Sequence, residues 1–252
     1  MLEEIKALAR LNALGSQAKG TKEFNATLPL LLKVLGKKGA GEYWLKLGNT
    51  TIETKSQKEL IVGQKYWAQM SRSSVGAIVL SRLTPQPQMV ETLQNSPLKF
   101  AFGDLEKLLG EKDSKDFLVA YKDFLLDKFV NAATRYEFLV VGNLLLSLQK
   151  NVLSLVIGDS SGDSFLQTRR GKSKKQSLEF YAIYPHLGAL RGRVYRGEDG
   201  INAEIYVAYE GVKKVLESRL DLLKGFGGVS VYVVEALEPL FVFEESLLDI
   251  RG

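Results

Sequence analysis

Along residues 28–83 short apolar runs alternate with polar or glycine-containing breaks. The runs lie at 30–35, 42–47, 50–55, 64–70 and 75–82. The breaks are Gly36-Lys-Lys-Gly-Ala-Gly41, Gly48-Asn49, the stretch around Val62-Gly63 and the serine-rich Arg72-Ser-Ser-Val-Gly76. Tyr43, Leu45 and Leu47 alternate with Trp44, Lys46 and Gly48, the period of a half-buried strand. Five short strands within about 55 residues predict a small closed or nearly closed β-barrel, an arrangement that removes exposed edges.

The pattern changes on either side of this segment. At the N-terminus Leu2, Ile5, Leu8, Leu11 and Leu14 form a roughly helical stripe, and Gly15 suits its C-terminal end. That segment has neither a basic leader nor a continuous apolar stretch, so it does not read as a secretory signal. Residues 15–27 are rich in Gly, Ser, Lys, Thr and Asn and read as a linker. Residues 84–97 hold three of the six prolines and form a boundary. Beyond it, Phe117, Tyr121, Phe124, Leu125 and Phe129 share one helical face. Leu139–Leu148 is apolar nearly all round, which predicts a buried helix. The stretch Phe138–Ile157 is the best membrane candidate, but Asn143, Gln149, Lys150 and Asn151 interrupt it. A lysine at bilayer depth costs about 2.5–3.5 kcal/mol, so a buried helix, a turn at Lys150-Asn151 and a strand are preferred to a membrane span. Residues 151–252 read as β, then α, then β. Strands are expected at Val152–Ile157, Leu178–Tyr184 and Val229–Val234, with a hairpin of Leu187–Arg196 and Ile201–Tyr209 around Gly197-Glu-Asp-Gly200. Val212, Val215, Leu216, Leu220 and Leu223 give the helix stripe, which ends at Gly225. The predicted fold class is α+β: N-terminal helix and linker (1–27), small β-barrel (28–84), helical connector (85–150) and a C-terminal α+β domain (151–252) with a hairpin-helix-strand core.

Composition narrows the chemistry. The 252 residues are 45% hydrophobic and 25% charged, ordinary globular values with ample material for a core. Lys+Arg 34 against Asp+Glu 29 gives +5, short of the imbalance of a dedicated nucleic-acid binder. There is no cysteine and a single histidine, His186. Disulfides, zinc thiolates and cysteine nucleophiles are excluded, and a catalytic triad has one candidate base. His186 follows a proline in Tyr-Pro-His-Leu-Gly and reads as a turn residue. No Gly-x-Ser-x-Gly elbow accompanies it. Gly171-Lys172-Ser173 ends like a phosphate loop, but Leu166 stands where the first glycine belongs and no helix pattern follows. Asp159, Ser161 and Asp163 alternate like a calcium loop, but Arg170 stands where the bidentate glutamate belongs. No catalytic, cofactor or metal residues are assigned, and a non-enzymatic role is expected.

The hairpin offers the candidate contact residues. Leu190, Gly192 and Val194 alternate with Arg191, Arg193 and Tyr195; Ile201, Ala203, Ile205 and Val207 alternate with Asn202, Glu204, Tyr206 and Ala208. One face is apolar, and the other presents two arginines and two tyrosines. Cross-strand pairing, with Glu204 neutralising an arginine, is preferred there to base stacking. Arg191, Arg193, Tyr195 and Tyr206 are the candidate partner-binding residues, since arginine and tyrosine anchor many interfaces. The alternative is a nucleic-acid module that uses the barrel, with Tyr43, Trp44, Tyr66 and Trp67 as stacking platforms.

Two stretches together resemble the flagellar hook-length control protein family. In the first, a hydrophobic opening strand precedes Gly41-Glu-Tyr-Trp-Leu-Lys-Leu-Gly48, Thr51-Ile-Glu-Thr-Lys-Ser56, the Leu60–Gly63 step and Ile78-Val-Leu-Ser-Arg-Leu83. In the second, residues 178–234, an apolar strand leads into Pro185-His-Leu-Gly188-Ala-Leu190. A hairpin, a helix with Val215-Leu216 and Leu222-Leu223, Phe226-Gly-Gly-Val229 and a closing strand follow. The second is similar to the family's C-terminal domain; the first is similar to a segment that precedes it in some members. The resemblance implies binding to the cytoplasmic part of the flagellar type III export switch protein and a change of export substrate. It also admits hook or hook-cap subunits as partners, and a cytoplasmic location with export through the flagellar apparatus. The long Gln-, Pro-, Ser- and Thr-rich ruler of that family has no counterpart in this sequence. About 27 residues precede the barrel segment and reach at most ~95 Å when fully extended. A relative that acts on export without measuring length is therefore expected.

Overall fold

The computed structural model describes residues 27–72, 78–87, 89–90, 93, 98–101, 114–158, 163–171, 177–198, 200–223 and 225–243. The expected N-terminal helix and nearly all of the linker lie outside them. Two sheets carry the fold. The first holds β1 (Leu30–Gly39), β2 (Glu42–Leu47), β3 (Thr50–Lys55), β4 (Lys65–Arg72) and β5 (Ile78–Pro85), in the order β3-β2-β1-β4-β5. The turns that join the first strands need a left-handed backbone, and Gly41 (φ 75°) and Gly48 (φ 57°) supply it. Leu32, Val34, Tyr43, Leu45, Tyr66 and Ala68 point to one side and bury a small core with Leu60.

This sheet is not a closed barrel. β3 and β5 are its two edges, and no hydrogen-bonded ladder joins them. A cleft of about 450 Å³ lies between them, lined on one side by Thr54–Lys58 and on the other by Val79–Leu83. The reason is local to β5. Opposite Ala68 the register slips, Arg82 takes a left-handed conformation (φ 50°), and Pro85 removes a donor. The bulged backbone is then held by the other sheet. Tyr209 Oη donates to the Arg82 carbonyl at 3.0 Å, and Arg82 Nη1 donates to the Ala208 carbonyl at 3.3 Å.

The second sheet comprises β6 (Phe100–Ala101), β7 (Leu153–Gly158), β8 (Ser164–Arg170), β9 (Ser177–Tyr184), β10 (Gly188–Gly197), β11 (Gly200–Val207) and β12 (Phe226–Val233). Its order is β12-β11-β10-β9-β8-β7-β6. The centre is antiparallel, while β6/β7 and β11/β12 are parallel. Each parallel pair needs a crossover, and helices provide both. α1 (Ser114–Val130) and α2 (Arg135–Gln149) lie between β6 and β7; α3 (Glu210–Glu217) lies between β11 and β12.

The predicted helix, turn and strand around Lys150-Asn151 are present. Thr134 caps α2 by accepting from the Glu137 N–H at 3.1 Å, and Glu137 Oε2 accepts from the Ala133 N–H at 2.9 Å. At the other end Asn151 adopts φ 59°, and the Val152 N–H bonds back to the Ser147 carbonyl. Among the described residues no helix is long and apolar enough to cross a membrane. Tyr121 and Leu125 are buried as the α1 stripe predicts, but Phe124 of that stripe is exposed. Two strands go beyond those expected from the sequence pattern: the two-residue β6, and β8, at the end of which lie Arg169-Arg170, a run that reads as a basic loop or strand end.

The large core runs through the connector and the C-terminal sheet without a break. It joins Tyr121, Leu125, Val140 and Leu144 of the helices to Val156, Phe165, Ile183, Val207 and Val231 of the sheet. Trp67, from β4 of the first sheet, belongs to it too. Its ring lies beside Gly188, where a Cβ would stand 3.6 Å from the indole. Trp67→Ala is expected to cost about 3–5 kcal/mol, the usual range for a fully buried aromatic. A urea denaturation series checks this.

Candidate functional site: the Arg-Tyr-Glu face of the C-terminal sheet

Strand pairing brings the charged face of the hairpin into one row. Arg169 of β8 lies opposite Glu179 of β9, Glu179 opposite Arg193 of β10, and Arg193 opposite Glu204 of β11. Arg169 donates from Nε (2.9 Å) and Nη2 (2.6 Å) to Glu179 Oε2. Arg193 donates from Nε to Glu204 Oε2 and from Nη2 to Oε1, both at 2.9 Å. Charges therefore alternate across four neighbouring strands, and each arginine is paired with a carboxylate of the next strand.

The rings complete the site. The Arg193 guanidinium lies 5.3 Å from the centre of the Tyr195 ring. Tyr206 Oη donates to Glu204 Oε2 at 2.7 Å, and the Tyr206 ring stacks on Tyr232 of β12 with centroids 5.6 Å apart. Arg191 is half-buried and reaches the Glu238 carbonyl at 3.5 Å. Arg193, Tyr195 and Tyr206 thus meet around Glu204, while Arg191 stands one row away. Hydrogen bonds from Arg193, then from Tyr206, hold the Glu204 carboxyl below its ordinary value. The bond to Glu204, followed by burial, raises the Tyr206 hydroxyl.

The next row is covered by the chain that follows β12. Gln167 is buried and clamps that strap: its Oε1 accepts from the Leu240 and Phe241 N–H groups, and its Nε2 donates to the Phe241 carbonyl at 2.8 Å. Phe243 packs edge-on against Phe165. Tyr232, Arg169, Glu179 and Gln167 were not singled out from the sequence. The alternation of Val229–Val234 does put Tyr232 on one face, but only the parallel pairing of β12 with β11 puts it beside Tyr206.

The aromatic platform that the nucleic-acid alternative needs on the barrel segment is not there. Tyr43 (1% exposed) and Tyr66 (7%) are in the small core, where their hydroxyls accept from the N–H groups of Leu60 and Ile61. Trp67 (0%) is in the large core. Trp44 alone of the four is exposed, at 40%, with Lys38 Nζ over its ring. Alternation explains this: Tyr66 and Trp67 point to opposite faces of β4, and both faces are covered.

Other motif positions have structural partners or surface settings. His186 is exposed in the turn before β10, and Asp163 pairs with Lys99 at 2.6 Å. Lys172, Lys174 and Lys175, with Asp159 and Ser161, lie outside the described residues. Among the described residues no three His, Cys, Asp or Glu side chains converge as metal ligands would. Comparison with protein-family models, curated proteins and solved structures returns no match for this chain.

The Glu204 geometry sets a pH dependence. Its carboxyl is depressed in the folded chain, so its contribution is fully present above the ordinary carboxylate value of about 4.3. The contribution is lost as pH falls through the lower, folded value. Because the Arg193 side chain is 54% exposed, the effect is small, about 0–1 kcal/mol. Glu204→Gln is expected to flatten the acid limb of a stability-against-pH curve while leaving the limb above pH ~6 parallel to wild type.

Proposed function

We propose that this chain is a non-enzymatic flagellar assembly protein of the hook-length control type. It docks on the cytoplasmic part of the type III export switch protein and alters which substrates are exported. The observation that carries this reading is the order of elements over residues 178–234. An apolar strand turns at Gly188 (φ 76°) into a hairpin closed between Gly197 and Gly200. A helix, the left-handed Gly225 (φ 89°) and a closing strand parallel to the hairpin follow. That order is the outline on which the resemblance rests.

The docking surface in this reading is the face built around Glu204. Because Arg193 and Arg169 are already paired, the face offers little net charge. It offers Tyr195, Tyr206 and Tyr232 as rings held in place by stacking and hydrogen bonds, and such rigid rings bind at low entropic cost. Hook or hook-cap subunits are the second partner class under the same reading. The nucleic-acid alternative loses its support with the burial of Tyr43, Tyr66 and Trp67.

The reading requires a flagellated source. In a strain lacking this protein, electron microscopy is expected to show abnormally long hooks and missing filaments; normal hooks and filaments overturn it. With purified switch protein, a Tyr195→Ala/Tyr206→Ala variant is expected to raise Kd at least ~30-fold, as the loss of a hot-spot pair does. Arg193 is left in place, because its removal strands Glu204. Unchanged affinity moves the contact off this face.

A further inference from the structure

Among the described residues, two open sheets leave four edge strands: β3, β5, β6 and β12. An edge exposes unpaired N–H and C=O groups, and proteins blunt such edges with charge, proline, bulges or short length. β3 carries Glu53 and Lys55, which pair with Lys38 and Glu42. β5 has the Arg82 bulge and Pro85. β6 is two residues long. β12 lacks charge, proline and short length, and is irregular only where it begins. It runs for eight residues, Phe-Gly-Gly-Val-Ser-Val-Tyr-Val, with no charge and no proline. Its one register irregularity lies at its start, opposite Ile201-Asn202.

Among the described residues no strand pairs with the outer side of β12. The Val234 N–H bonds to the Val207 carbonyl at 2.9 Å, so the backbone groups of Val234, Tyr232 and Ser230 face β11. By alternation those of Val229, Val231 and Val233 face away. Among the described residues none pairs with that outer side. The strap after β12 leaves in the opposite direction, past Arg191 of β10 to Gln167 of β8.

We propose that this edge is a strand-addition site and that a second copy of this chain fills it. The copies pair β12 to β12 antiparallel about a two-fold axis at Ser230. That register sets Val229 against Val231 of the other copy, two apolar β-branched residues whose outward backbone groups bond to each other. It also sets exposed Tyr232 against the bare Gly228 of the other copy, and an aromatic ring covering a cross-strand glycine is a favourable pair. The strip is neutral, and the nearest charged row, Arg193–Glu204, is paired within each copy. Two copies therefore meet without local repulsion. The clefts at α1/α2 and between β3 and β5 are lined by residues of other elements than β12.

The absence of cysteine makes the test clean. In this register the two Ser230 residues face each other as a non-hydrogen-bonded pair, within disulfide reach. Full-length Ser230→Cys is expected to form a covalent dimer under mild oxidation at least about tenfold faster than Ser218→Cys, an exposed control beyond α3. Wild type is expected to sediment as a concentration-dependent dimer. Ser230→Lys is expected to sediment as a monomer, since it opposes two lysines at the axis while giving each an in-chain neighbour in Glu204. Ser230→Lys that stays dimeric overturns the proposed edge. A wild type that is monomeric throughout, with Ser230→Cys no faster than the control, overturns the second copy and leaves the edge to a strand from another protein.

Discussion

The fold depends on β4 being buried on both faces. Tyr66 and Trp67 are neighbours in sequence, so their side chains leave the strand in opposite directions. One fills the core of the small sheet, and the other enters the core of the large sheet. A single strand thereby fixes the distance between the two sheets. The Arg82–Tyr209–Ala208 bonds fix their rotation at the adjoining edge. Once β5 is committed to the large sheet in this way, it is not available to β3. The open edge of the small sheet, the cleft beside it and the loss of an aromatic platform all follow from that one junction.

The Glu204 face obeys a different constraint. It lies beyond the strap, where water reaches it, and an isolated arginine or carboxylate there would attract counterions without specificity. Pairing across strands removes that option. Arg169 with Glu179 and Arg193 with Glu204 leave a nearly neutral surface whose distinguishing features are ring positions. Tyr206 is tied at both its hydroxyl and its ring, and Tyr195 is covered on one side by a guanidinium. Such a surface selects partners by shape and hydrogen bonding more than by long-range steering. The chain's +5 therefore contributes little at this face.

Much of this was legible in the sequence, because much of it is local. Alternation and turn glycines locate β1–β4 to within a few residues, and the same logic locates the hairpin around Gly197–Gly200 and the pairing of Glu204 with an arginine. What was not legible is long-range. Arg169 and Arg170 read as a basic loop or a strand end because their partner strand lies beyond the lysine-rich segment; pairing with Glu179 and Leu178 makes them the end of a strand. Five strands suggest closure, but closure depends on whether β5 finds β3 or Tyr209, and Tyr209 lies 127 positions from Arg82. Gln167 is an ordinary polar residue in sequence, and its role as a clamp exists only once the strap returns across β8.

The two ends of the large sheet show how assembly is limited. Both ends are parallel pairs, which are less stable per residue than antiparallel ones and rely on their crossover helices. At one end β6 is too short to template another strand. At the other, β12 is long and neutral, so among the described strands it is the edge best suited to strand addition. An isologous contact there consumes the open edge of both copies at once, and β3 and β5 carry charge, a bulge and proline. Pairing through β12 therefore closes at two copies and does not propagate into a fibre. An edge that would be an aggregation hazard if it could extend is tolerable when its own geometry ends the growth.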